Sequence, residues 1–145
     1  MYKRQTLLGF GTSVQECLRA ANILEESGID AAVINARFAK PLDEALILKF
    51  AESTGGIITV EENVRAGGFG DAVLELLADN GLADKNLSNL TMPDAIVDHG
   101  PQTTFRQMHS LDGTGIAARA KEALEARETR DTHGDSSLPP PALVK

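Results

Sequence analysis

The stretch Gly56-Ile57-Ile58-Thr59-Val60-Glu61-Glu62-Asn63-Val64-Arg65-Ala66-Gly67-Gly68-Phe69-Gly70 decides the fold. Ile57–Val60 is a short β-rich apolar run after the helix-breaking pair Gly55-Gly56, and it reads as a buried strand. Two carboxylates end it. A short polar turn then leads to glycines, and Phe69, Ala72, Val73, Leu76 and Leu77 recur at helical spacing until Gly81 closes the run. A buried strand joined by a short loop to an amphipathic helix is half of a βαβ unit.

The same alternation extends to both sides. Thr6–Phe10 reads as a strand, followed by a helix capped by Thr12 or Ser13 with Val14, Cys17, Leu18, Ala21 and Leu24 on its apolar face and Gly28 as its stop. Ala31–Ala36 is a second strand. Asp43 is placed to cap a helix carrying Leu46, Ile47, Phe50 and Ala51. Leu87–Met92 is a fourth strand, ended by Pro93. A short helix is expected over Thr103–His109, and a last one from near Thr114 with Ile116, Ala120, Ala123 and Leu124 on one face. Four strand–helix alternations imply an α/β fold with a mainly parallel sheet covered on both faces. Sites in such sheets form beyond the carboxyl ends of the strands, so the loops Gly9–Ser13, Glu61–Gly68 and Pro93–Gly100 should lie together.

The 145 residues suit one domain, expected over residues 1–127. Residues 128–145 break the pattern with a polar, proline-rich run that includes Pro139-Pro140-Pro141, and a disordered tail is expected there. Aromatics are only 4% and Trp is absent, so the core must be aliphatic. A net charge of -7 argues against nucleic acid or an anionic membrane as partner. No apolar run is long enough to span a membrane. The lone Cys17 cannot form an internal disulfide, which fits a cytoplasmic protein.

Two constellations could carry chemistry. The helix start at Arg65–Gly70 could bind a small anion or a nucleotide, because free N–H groups at a helix start suit negative charge and Arg65 could assist. Equally, Glu61 or Glu62 could bond that helix start, or a neighbouring domain, in a purely structural turn. The G-x-G-x-x-G spacing of dinucleotide sites is absent. In the second cluster, His99 lies near Asp94 and Asp98 and could carry a proton, or Asp94 and His99 could pin an irregular loop. His99, His109 and His133 lack metal-site spacing. Cys17 falls on an apolar helix face as a core residue, and Ser13 lacks the flanking glycine of a nucleophile elbow.

Taken together, Gly9-Phe10-Gly11-Thr12, Val33 to Asp43 (VINARFAKPLD), Val60-Glu61-Glu62-Asn63, Gly67-Gly68-Phe69-Gly70, Pro93-Asp94 and His99-Gly100 closely resemble the C-terminal domain of the 1-deoxy-D-xylulose-5-phosphate synthase family. These are transketolase-like enzymes dependent on thiamine diphosphate and magnesium. The resemblance covers about Gln5 to Leu124. It implies a three-layer α/β/α domain belonging to a transferase that condenses pyruvate with glyceraldehyde 3-phosphate for isoprenoid precursor synthesis. It also implies that the cofactor sits between the two preceding domains and that this third domain serves packing and assembly. The family's G-D-G…N cofactor motif is missing here, since Gly70-Asp71 is followed by Ala72. The resemblance therefore assigns no catalytic, cofactor or metal residue to this chain, which is not expected to be catalytic alone. Glu61, Glu62, Arg65, Gly67, Gly68, Gly70, Asp94, His99 and Gly100 are candidate interface or anion contacts. Family members start the domain with an antiparallel edge strand for which only Tyr2–Gln5 remain here. The edge strand Ala31–Ala36 is then expected to be open and to pair with a second copy or with the chain's own terminus, and the expected partners are a homodimer mate or a protein carrying the cofactor domains.

Overall fold

The computed structural model describes residues 4–132. The chain runs β1 (Arg4–Gly9), α1 (Ser13–Glu26), β2 (Asp30–Asn35), α2 (Glu44–Ser53), β3 (Ile57–Val64), α3 (Phe69–Asp79), β4 (Leu87–Met92), α4 (Gln102–Met108) and α5 (Gly113–Thr132). Among the described residues the sheet has four strands in the order β2-β1-β3-β4, every neighbouring pair parallel. Leu7 sits between Val33 on one side and Ile58 on the other.

Alternation along the strands divides the core in two. Leu7, Ile58 and Val60 face α1 and α5, where they meet Cys17, Ala20, Leu24, Leu111, Ile116 and Ala120. Leu8, Ile34 and Ile57 face α2 and α3, where they meet Ile47, Ala51, Phe69, Val73 and Leu77. The result is the expected α/β/α layering. The chain leaves β1 toward β2 on one side and returns to β3 on the other, so the crevice between the carboxyl ends of β1 and β3 is the sheet's topological switch point.

Several local expectations change. β3 runs on through Val64, four residues past the apolar run, because Glu61 finds partners inside the domain. The N-cap of α1 is Thr12, but no side chain bonds the helix start there. The buried face of α1 is Ser13, Glu16, Cys17, Ala20 and Leu24, while Leu18 is exposed. Asp43 caps α2 as expected, its Oδ1 accepting from Leu46 N–H at 3.2 Å. Helix α5 continues to Thr132, past the expected boundary at residue 127, and the rest of the expected tail lies outside the described residues.

Candidate functional site

Two adjacent glutamates at the end of β3 organise the carboxyl side of the sheet. Strand alternation sends them to opposite faces. Glu61 shares the face of Ile57 and Thr59 and turns toward α3. It is 1% exposed. Its Oε2 accepts from Phe69 N–H at 2.9 Å and its Oε1 from Gly70 N–H at 2.8 Å. These are two of the donors that a helix start leaves without intrahelical partners, and an ionised acceptor makes such bonds roughly twice as strong as neutral ones. Glycine is required around this carboxylate by space. A Cβ on Gly68 would lie 2.7 Å from both Glu61 oxygens and from the Val64 carbonyl. A Cβ on Gly70 would lie 2.7 Å from Thr59 Oγ1 and from the Asn89 amide, which are hydrogen-bonded to each other at 2.9 Å. Gly67 turns the chain at φ +68 and its N–H donates to Asp71 Oδ2 at 3.0 Å.

Glu62 turns the other way. It accepts from Gln102 Nε2 at 2.6 Å and from Arg106 Nε, so both partners come from α4. Arg106 also reaches Glu16 Oε1 at 3.5 Å. Glu16 is itself buried on α1; its Oε2 accepts from Gly113 N–H at 2.9 Å at the start of α5, and its Oε1 from Arg19 at 2.6 Å. Two helix starts, those of α3 and α5, are thus each held by a buried glutamate from another element. Sequence reasoning missed Glu16, Gln102 and Arg106. A carboxylate beside Cys17, three residues before Arg19, was the available signal.

The switch-point crevice is filled by the chain itself. Phe10, after β1, stacks on Phe69 with ring centroids 5.2 Å apart and planes 14° apart. Arg65 is exposed. The reading of Arg65–Gly70 as a small-anion or nucleotide site gains no support: two of the donors at this helix start, the Phe69 and Gly70 N–H groups, are already bound to Glu61. The same geometry does not fit a cofactor diphosphate at this helix start. Among the described residues, no group of three or more His, Cys, Asp or Glu side chains is placed to hold a metal ion.

Asp94, His99 and Gly100 lie in an exposed loop between β4 and α4. Both side chains are exposed, and among the described residues neither Asp94 nor His99 makes a side-chain hydrogen bond or an ion pair, so the bonds expected to pin the loop are not formed. Gly100 lies against the Phe105 ring, 3.2 Å from where its Cβ would be. Cys17 is fully buried, and burial, followed by the nearby Glu16 carboxylate, pushes its thiol up to about 12.

Comparison with known proteins gives this arrangement its context. Residues 3–116 match the family described as transketolase, C-terminal domain. The chain belongs to the transketolase C-terminal domain family. This transketolase-type domain is 49% identical over 121 residues to 1-deoxy-D-xylulose-5-phosphate synthase 1 of Geobacter sulfurreducens, covering 83% of the chain and 19% of the relative. The synthase of Heliobacterium modesticaldum is 42% identical over 140 residues, covering 97% of the chain and 21% of the relative. The chain thus spans about a fifth of the length of these curated relatives. A solved structure titled split gene transketolase, inactive beta4 tetramer, superimposes with a TM-score of 0.78 at 28% identity, covering 88% of this chain and 41% of that one. A transketolase mutant of Pichia stipitis superimposes with a TM-score of 0.58 at 15% identity, covering 86% and 17%, and shares the fold.

Proposed function

We propose that this domain serves packing and assembly in a thiamine-diphosphate-dependent 1-deoxy-D-xylulose-5-phosphate synthase of the cytoplasm, and that the cofactor, the magnesium ion and the condensation of pyruvate with glyceraldehyde 3-phosphate belong to other domains. The carrying observation is the buried Glu61 carboxylate on the Phe69 and Gly70 N–H groups, which uses the donors at the α3 start for folding. Glu61, Gly68 and Gly70 act from inside, as supports. Glu62, Arg65, Gly67, Asp94, His99 and Gly100 lie on the carboxyl side of the sheet and are the proposed contacts to the cofactor-bearing domains. The test is sedimentation of the chain mixed with the remainder of a relative that lacks its own C-terminal domain. A joint species that weakens at least about tenfold on Arg65→Glu is expected, an effect of at least about 1.4 kcal/mol. Independent sedimentation at micromolar concentration would sink the proposal.

Assembly has a second proposed surface. β2 lies at the sheet edge, and its sequence Asp30-Ala31-Ala32-Val33-Ile34-Asn35 contains no Lys, Pro or bulge to discourage pairing. The opposite edge, β4, is marked by an irregular register against β3 and by Pro93 at its end. Antiparallel pairing of β2 with its own copy is self-complementary and closes a two-fold dimer. Val33→Lys should convert such a dimer to monomer; a dimer indifferent to it would place the interface elsewhere.

A further inference from the structure

The segment from Pro93 to Ser110 is attached to the domain differently from the other elements. None of the residues of α4 is buried. Among the described residues, no side chain between Pro93 and Ser110 joins either core cluster. Ile96 is fully exposed and Met108 is 68% exposed. What holds the segment is polar: Gln102 Nε2 at 2.6 Å and Arg106 Nε on the two oxygens of Glu62, with Arg106 Nη1 at 3.5 Å from Glu16. The Arg106 side chain is 13% exposed, so water screens these bonds only in part. The two ends are marked as well. Pro93 follows β4 directly, and Ser110 is held at φ 57, a left-handed conformation that is costly for a residue with a side chain. Leu111, 1% exposed, anchors the chain immediately afterwards.

We propose that Pro93–Ser110 is a strap that opens as one unit while the rest of the domain stays folded, and that Glu62 with Arg106 is its latch. The reason the domain survives opening lies in Glu16. That carboxylate keeps Gly113 N–H and Arg19 when Arg106 leaves, so the contact between α1 and the start of α5 does not depend on the strap. Beside the latch lies a cleft of about 200 Å³ with Glu16, Arg19 and Thr114 on its fixed side and Arg106 and Gln107 of α4 on the other, so opening of the strap widens it. Regions with few apolar contacts and polar attachments open locally, well below the free energy of global unfolding.

Amide hydrogen exchange on the whole chain, read by mass spectrometry, tests this. Amides of α4 should exchange at least about 100-fold faster than those of α3. Glu62→Gln removes the charge but keeps the shape, and should speed α4 about tenfold while leaving α3 exchange and Tm unchanged. Raising salt to 1 M with the unaltered chain should act in the same direction, about threefold, and needs no variant to fold. Protection of α4 equal to that of α3 would overturn the proposal, as would a Glu62→Gln effect that moves both helices together.

Discussion

Replacing Glu61 by alanine leaves the Phe69 and Gly70 N–H groups buried without an acceptor. Unpaired buried donors cost about 1–3 kcal/mol each, so Glu61→Ala should lower stability by about 2–6 kcal/mol in a urea titration. Gly70→Ala forces a methyl group into the Thr59–Asn89 hydrogen bond and should cost about 1–3 kcal/mol by the same measurement. A change below about 0.5 kcal/mol in either variant would mean that the helix start tolerates the loss. Cys17 gives a pH dependence. Its thiol sits at about 12 in the folded chain against 9.0 as the ordinary value, so the folded state keeps a proton that the unfolded state releases. The resulting stability is fully present below about pH 9 and falls as pH rises toward 12, by about 1.4 kcal/mol per pH unit. Urea midpoints between pH 8 and 10.5 should show this slope, and Cys17→Ala should flatten it. At this scale the sequence was informative about where the carboxylates and glycines stand. The assignment of Glu61 and Glu62 to opposite faces follows from their adjacency on a strand, but only once β3 is seen to extend past Val60.

Among the elements, α2 and α3 were readable because their apolar residues sit at helical spacing and their ends carry Asp43 or glycine signals. Asp43→Ala removes a side-chain cap on α2 and should cost about 1 kcal/mol in thermal melts. In α1 the buried face is rotated from the one its apolar spacing predicts. The buried set is Ser13, Glu16, Cys17, Ala20 and Leu24, and Leu18 is in solvent. A pattern built on apolar residues cannot place a glutamate in the interior, because the partner that makes burial tolerable is Gly113 N–H, 97 residues away in the chain. α4 was located but not explained for a similar reason: its attachment is to Glu62 and Glu16, not to an apolar stripe.

For the molecule as a whole, strand–helix alternation and short connections are enough to place a parallel sheet, while the edge position of β2 follows from the strand order that the family resemblance implies. What alternation alone does not convey is that the switch-point crevice is closed from within. Phe10 stacks on Phe69 there, and Glu61 takes two of the N–H groups at the start of α3. On the proposed supporting role, the chemistry belongs to other domains. The direct test is the rate of pyruvate decarboxylation with glyceraldehyde 3-phosphate, thiamine diphosphate and magnesium present. The chain alone, the cofactor-bearing remainder of a relative alone, and the two mixed are compared. The expected result is turnover at background for the chain and a rise of at least about tenfold when it joins the remainder, equivalent to about 1.4 kcal/mol of barrier. Turnover by the chain alone, or a remainder indifferent to its presence, would contradict the assignment of a supporting role.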